Sequence, residues 1–128
     1  MTMNQNELIK KFTVGPGQLA TAMGSGSVEV LATPAVAAMM ENTAAALAQA
    51  CLEDGLTTVG TRLAFDHKAA SPVGAEITVR AVLEAREGRL FRFTLTASDN
   101  AGEIAAGTHE RVSVKQASFA EKAKARLA

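Results

Sequence analysis

From Thr33 to Asp54 the chain holds a helix-forming run that is apolar at nearly every helical angle, and this constrains the fold most. It begins Thr33-Pro34, runs through Ala, Val, Met and Leu without an internal Gly or Pro, and ends at Glu53-Asp54-Gly55. Thr33 suits an N-cap, Pro34 the first helical position, and Gly55 the position after the last turn. A helix greasy on most sides must be wrapped by other structure. Between Pro34 and Leu52 the only charge is Glu41. A carboxylate there costs several kcal/mol unless paired or protonated, so its presence calls for a reason.

Beyond the helix the chain is written in a different period. Residues 57–69, 76–86, 90–98 and 103–115 read as strands. On the first, Val59, Thr61, Leu63 and Phe65 share one face and Gly60, Arg62, Ala64 and Asp66 the other. Ile77, Val79, Ala81 and Leu83 point inward on the second, and Phe91, Phe93, Leu95 and Ala97 on the third. On the last, Ile104, Ala106, Val112 and Val114 are expected to face the core. Ser71-Pro72-Val73-Gly74, Glu87-Gly88 and Asp99-Asn100-Ala101-Gly102 are turns. Before the helix, Glu7–Lys11 reads as a helical turn or a frayed end. The chain becomes strand-like near Phe12, Gln18–Met23 alternates loosely, and Gly24-Ser25-Gly26-Ser27 is a loop. Ser118–Ala128 reads as a short exposed helix.

Strands joined by short turns are antiparallel neighbours. Only a sheet curled around the helix covers it on most sides. The expected class is α+β, a hotdog fold with an antiparallel sheet wrapped around a central buried helix, one domain over residues 1–128. An α+β roll with another strand order fits the same pattern.

Charge and composition exclude several roles. Thirteen basic and thirteen acidic residues cancel, leaving no bulk attraction to nucleic acid or anionic membrane. The lone Cys51 excludes an intrachain disulfide and fits a reducing, cytoplasmic setting. Met1–Lys11 lacks the apolar core of a signal peptide, and the polar breaks in the central run exclude a membrane span. With one cysteine and two histidines there is no metal-ligand spacing, and no phosphate-binding glycine motif calls for a cofactor.

Several landmarks then carry a resemblance. Leu31-Ala32-Thr33-Pro34, Met40-Glu41, Thr58-Val59-Gly60-Thr61, Asp66-His67 with Pro72-Val73-Gly74, and Gly107-Thr108-His109-Glu110-Arg111 resemble the hotdog thioesterases related to fluoroacetyl-CoA thioesterase. The resemblance covers Phe12 to Phe119. It implies an acyl-CoA substrate, a homodimer with sites at the subunit interface, and Thr33, Glu41 and His67 as the catalytic residues, with Gly60 lining the site. The fluoroacetyl-specific enzyme carries an aromatic gate before its threonine. Here that segment is Gly24-Ser25-Gly26-Ser27-Val28, so a more general small acyl group is expected.

Each residue also has a plainer reading. Glu41, a candidate general base if desolvation raises its pKa, could instead pair with an arginine or sit at the helix's one wet angle. His67 could be a surface histidine, Thr33 only an N-cap, and Gly60 only a bulge. Arg111, and less so Arg62 and Lys68, could meet CoA phosphates or simply be solvated. His109 reads as structural and Cys51 as a small core residue. Thr33 and Glu41 are eight residues apart, about 12 Å along a helix. Any contact between them is therefore expected across subunits. Beside the hydrolase stand a non-catalytic acyl-CoA sensor or carrier and, ranked last, a hotdog hydratase. A tetramer built on the back of the sheet is also open.

Overall fold

The computed structural model describes residues 2, 3 and 6–128; positions 1, 4 and 5 of the polar amino-terminal stretch lie outside the described residues. The elements are β1 (Thr2–Met3), β2 (Glu7–Thr13), α1 (Ala20–Met23), α2 (Thr33–Gln49), β3 (Leu56–His67), β4 (Glu76–Glu87), β5 (Leu90–Asp99), β6 (Gly102–Lys115) and α3 (Gln116–Ala125). One antiparallel sheet of order β1-β2-β4-β5-β6-β3 curves around α2, which touches β2 to β6. This is the hotdog arrangement expected from the sequence.

The helix buries Ala35, Val36, Met39, Met40, Thr43, Ala44, Leu47 and Ala48 and leaves Thr33, Pro34, Ala38, Asn42 and Gln49 exposed. It is shorter than expected, ending at Gln49. Ala50 to Leu52 continue as tight turns, and Gly55 (φ 87°) starts the return into β3. Ala32, not Thr33, is the N-cap, and no side chain caps the helix. The Thr33 hydroxyl is thereby free for another partner.

Two stretches before α2 differ from expectation. Glu7–Thr13 is a full strand paired with β4, burying Leu8. Pro16–Gln18 is a 3-10 turn and Ala20–Met23 a single helical turn closed by Gly24 at φ 72°.

β4 and β5 present Ile77, Val79, Ala81, Phe91, Phe93, Leu95 and Ala97 to the core, as alternation requires. β6 does not follow the expected faces. Its pairing places Ala105, Gly107, His109, Arg111 and Ser113 on the side of α2, while Ala106, Val112 and Val114 face away. Val112 and Val114 instead line an outer groove with Leu56, Val59 and Phe119 of α3. Their apolar character serves this second contact. Ile104 is buried because the β5–β6 register slips beside it.

β3 also inverts midway. Gly60 pairs with Arg111 and Arg62 with Glu110, leaving Thr61 as the extra residue of a β-bulge. Thr58 and Gly60 face α2 before the bulge; Leu63, Phe65 and His67 face it afterwards. The bulge is what brings both Gly60 and His67 to the concave side.

Candidate active site

The candidate residues gather in two clusters along the open edge of the sheet. In the first, Thr33 in the opening turn of α2 meets His67, the last residue of β3, with Oγ1 2.8 Å from Nδ1. The His67 Nε2 atom is buried and has no protein hydrogen-bond partner. A cavity of about 340 Å³ opens here, lined by Ala20, Val30, Leu31, Pro34 and Ala69 with the Thr33–His67 pair. Lys68 is held in an exposed ion pair with Glu103.

The second cluster lies two helical turns further along α2. Half-buried Glu41 points at Gly60, whose missing side chain leaves the space. A Cβ built there would stand 3.0 Å from Glu41 Oε2, 3.3 Å from the Arg111 Nη1 atom and 3.3 Å from His109 Cε1. Any other residue at 60 would crowd three functional groups at once, so the glycine is a close-approach glycine as well as a neighbour of the bulge.

Arg111, expected either to meet CoA phosphates or to be solvated, is buried on the inner side of the sheet. It is 8% exposed and faces the helix. Its Nε donates to Thr58 Oγ1 (2.8 Å), Nη2 to the Thr58 carbonyl (3.0 Å), and Nη1 lies 3.2 Å from His109 Nε2. Burial lowers the Arg111 pKa, and the Glu41 carboxylate opposes that shift. His109 is 1% exposed, with Nδ1 2.7 Å from the Arg62 carbonyl oxygen. Burial lowers its pKa; the Arg62 carbonyl and Glu41 pull the other way, while Arg111 adds to the lowering. Arg62 and Lys68 are exposed.

Sequence reasoning assigns no chemical role to His109 or Thr58, both of which hold Arg111. The glycine in β3 is the available signal, because the strand opposite a close-approach glycine supplies whatever fills its place. Cys51 lies past the end of α2 in neither cluster; its thiol is exposed, correcting the reading of it as a core residue. Among the described residues no helix is long and apolar enough to cross a membrane.

A helix wrapped by a curved antiparallel sheet, with a carboxylate against a strand glycine and a histidine at the helix start, defines a hotdog-fold thioesterase class. The chain belongs to the family described as the FlK, fluoroacetyl-CoA-specific thioesterase family, whose model matches residues 14–117. A fluoroacetyl-CoA thioesterase of Streptantibioticus cattleyicolor is 36% identical over 91 residues, covering 71% of this chain and 66% of that protein. The chain thus spans about two thirds of the length of that curated relative. The solved structure of the fluoroacetyl-CoA thioesterase FlK superposes with a TM-score of 0.89 at 29% identity, covering 97% of each chain. A mutant of that enzyme in complex with fluoroacetate and CoA gives 0.89 at 30% identity, over 93% of this chain and 98% of that one. A thioesterase superfamily member from Thermus thermophilus, at 24% identity and a TM-score of 0.84 over 94% and 89% of the two chains, shares the fold.

Proposed function

We propose that the protein hydrolyses a small acyl-CoA thioester to the free acid and CoA, acting as a homodimer with composite sites. The observation that carries the reading is the division of the machinery. Thr33–His67 and Glu41–Gly60 sit about 12 Å apart along one helix, and both clusters lie on the side where β3 has no strand neighbour among the described residues. An open twelve-residue edge strand beside a helix face of small side chains invites a second copy. Two-fold pairing of that edge brings each Thr33–His67 to Glu41 of the partner subunit.

In this arrangement the thioester lies over Gly60. Glu41 drives the attack on the carbonyl carbon, through water or directly, and Arg111 offers a buried N–H to the developing oxyanion. With His67 Nδ1–H donating to Thr33 Oγ1, its Nε2 lone pair takes up the proton that Glu41 removes from the attacking water and then delivers it to the leaving sulfur. The C–S bond breaks, the water oxygen ends in the acid, and its proton leaves on the CoA thiol. No aromatic side chain lines the segment Gly24–Val28, so the acyl group is a general small one and not specifically fluoroacetyl.

Thiol release from a panel of short acyl-CoAs tests the activity. Mixing inactive Glu41→Ala and His67→Ala proteins tests the shared site: each mixed dimer regains one intact centre, so random exchange restores roughly a quarter of wild-type activity. Acyl-CoA binding without turnover by the wild type would make the protein a sensor or carrier. Hydrolysis with no recovery on subunit exchange would place the site within one chain.

A further inference from the structure

We propose that His109 is a positioning residue for Arg111, and that the β-bulge at Thr61 exists to hold it in one tautomer. The proposal rests on the reading of Arg111 as a substrate-facing donor. Its geometry begins at the bulge. The slipped register lets the Arg62 carbonyl meet the His109 side chain, 2.7 Å from Nδ1. A carbonyl only accepts, so Nδ1 carries the hydrogen and Nε2 presents its lone pair. That lone pair lies 3.2 Å from Arg111 Nη1 and takes one of its two hydrogens.

The guanidinium is then fixed at three points: Nε on Thr58 Oγ1, Nη2 on the Thr58 carbonyl, and Nη1 on His109. A planar fork held at three points cannot rotate. The second Nη1 hydrogen remains, beside the hollow above Gly60 and the Glu41 carboxylate. The opposite His109 tautomer would aim an N–H at the cation and turn the fork away. Phe93 closes the remaining side of the imidazole, its ring centroid 5.9 Å away, so the histidine cannot swing out.

Two measurements test this. Long-range ¹⁵N–¹H correlation on histidine-labelled protein at pH 7 reads the tautomer of His109 directly: a protonated Nδ1 with a bare Nε2 is expected, and a protonated Nε2 or an imidazolium overturns the proposal. Affinity for a non-hydrolysable thioether analogue of acetyl-CoA reads the consequence. Loss of a hydrogen bond to a charged group corresponds to about tenfold or more weaker binding in His109→Leu and in Arg111→Met. The double variant is expected to be no weaker than Arg111→Met alone, and His109→Gln, which keeps an acceptor, to recover most of the loss. Additive losses in the double variant, or wild-type affinity in His109→Leu, would refute it. Because neither readout uses turnover, failure of hydrolysis would be seen separately in the thiol-release assay.

Discussion

Thr33 and His67 are joined side chain to side chain at 2.8 Å, tying the first turn of the central helix to the last residue of the edge strand. The contact comes from the absence of a cap: with Ala32 at the N-cap position, the Thr33 hydroxyl is released to the histidine. Thr33→Val keeps the shape and removes the hydroxyl. It is expected to lower kcat by about ten- to a hundredfold with little change in KM, since a misoriented imidazole still leaves the binding surface intact. Steady-state kinetics with one short acyl-CoA checks it, and an unchanged kcat would remove the threonine from the mechanism.

Glu41→Gln keeps volume and hydrogen bonding while abolishing the charge. A loss of about 10² to 10⁴ in kcat is expected, the range for removal of a general base. Because Glu41 is only half-buried and Arg111 keeps its bonds to Thr58 and His109 without it, thermal stability should change far less than activity. A variant that loses both in parallel would recast Glu41 as the structural partner of Arg111.

Gly60→Ala sets a methyl 3.0 Å from the Glu41 oxygen and 3.3 Å from both Arg111 and His109. The Glu41 end can give while Arg111 and His109 are held by their hydrogen bonds, so the protein should fold, with a penalty of about 1–3 kcal/mol. KM and kcat should nonetheless both suffer, because the methyl fills the hollow in which the proposed mechanism seats the thioester. Gly107→Ala is the contrasting case. Its Cβ would fall 2.1 Å from the Ala64 carbonyl oxygen and 2.4 Å from Phe65 Cβ, where backbone must move. A destabilisation of about 3 kcal/mol is expected, read as a shift of the urea midpoint.

Stability should also depend on the protonation of His109. Its folded pKa lies below 6.5. Between those two values the unfolded chain binds a proton that the folded chain refuses, so the contribution is intact above 6.5 and is lost progressively as pH falls towards the folded pKa. The difference in unfolding free energy between wild type and His109→Gln, followed from pH 8 to pH 5, isolates this from the carboxylates. A pH-independent difference would contradict it.

Much of this architecture is legible in the residues. The all-round apolar run announces a wrapped helix, and clean alternation on β4 and β5 fixes their inner faces. The strand β2 is obscured because Leu8 and Phe12, four apart, fit a helical and a two-residue period equally well. The inner face of β6 escapes the pattern because Val112 and Val114 cover an outer groove while a histidine and an arginine face inward. Alternation reports which side is greasy, and on β6 the greasy side is not the one beside the helix. Glu41 stands out as a lone charge, whereas the cluster that receives it emerges only through cross-strand register.

The extra residue at Thr61 acts as a half-turn built into the strand. Its side chain makes only an exposed hydrogen bond to the Glu110 carbonyl (3.2 Å) and can change at small cost, provided a residue remains there to be counted. Removing it would rotate everything beyond, sending Leu63 and Phe65 into solvent and His67 to the far side of the sheet from Thr33. The spacing between the glycine and the histidine, seven positions where even alternation would demand an even number, is therefore itself a part of the proposed active site, written in chain length and not in chemistry.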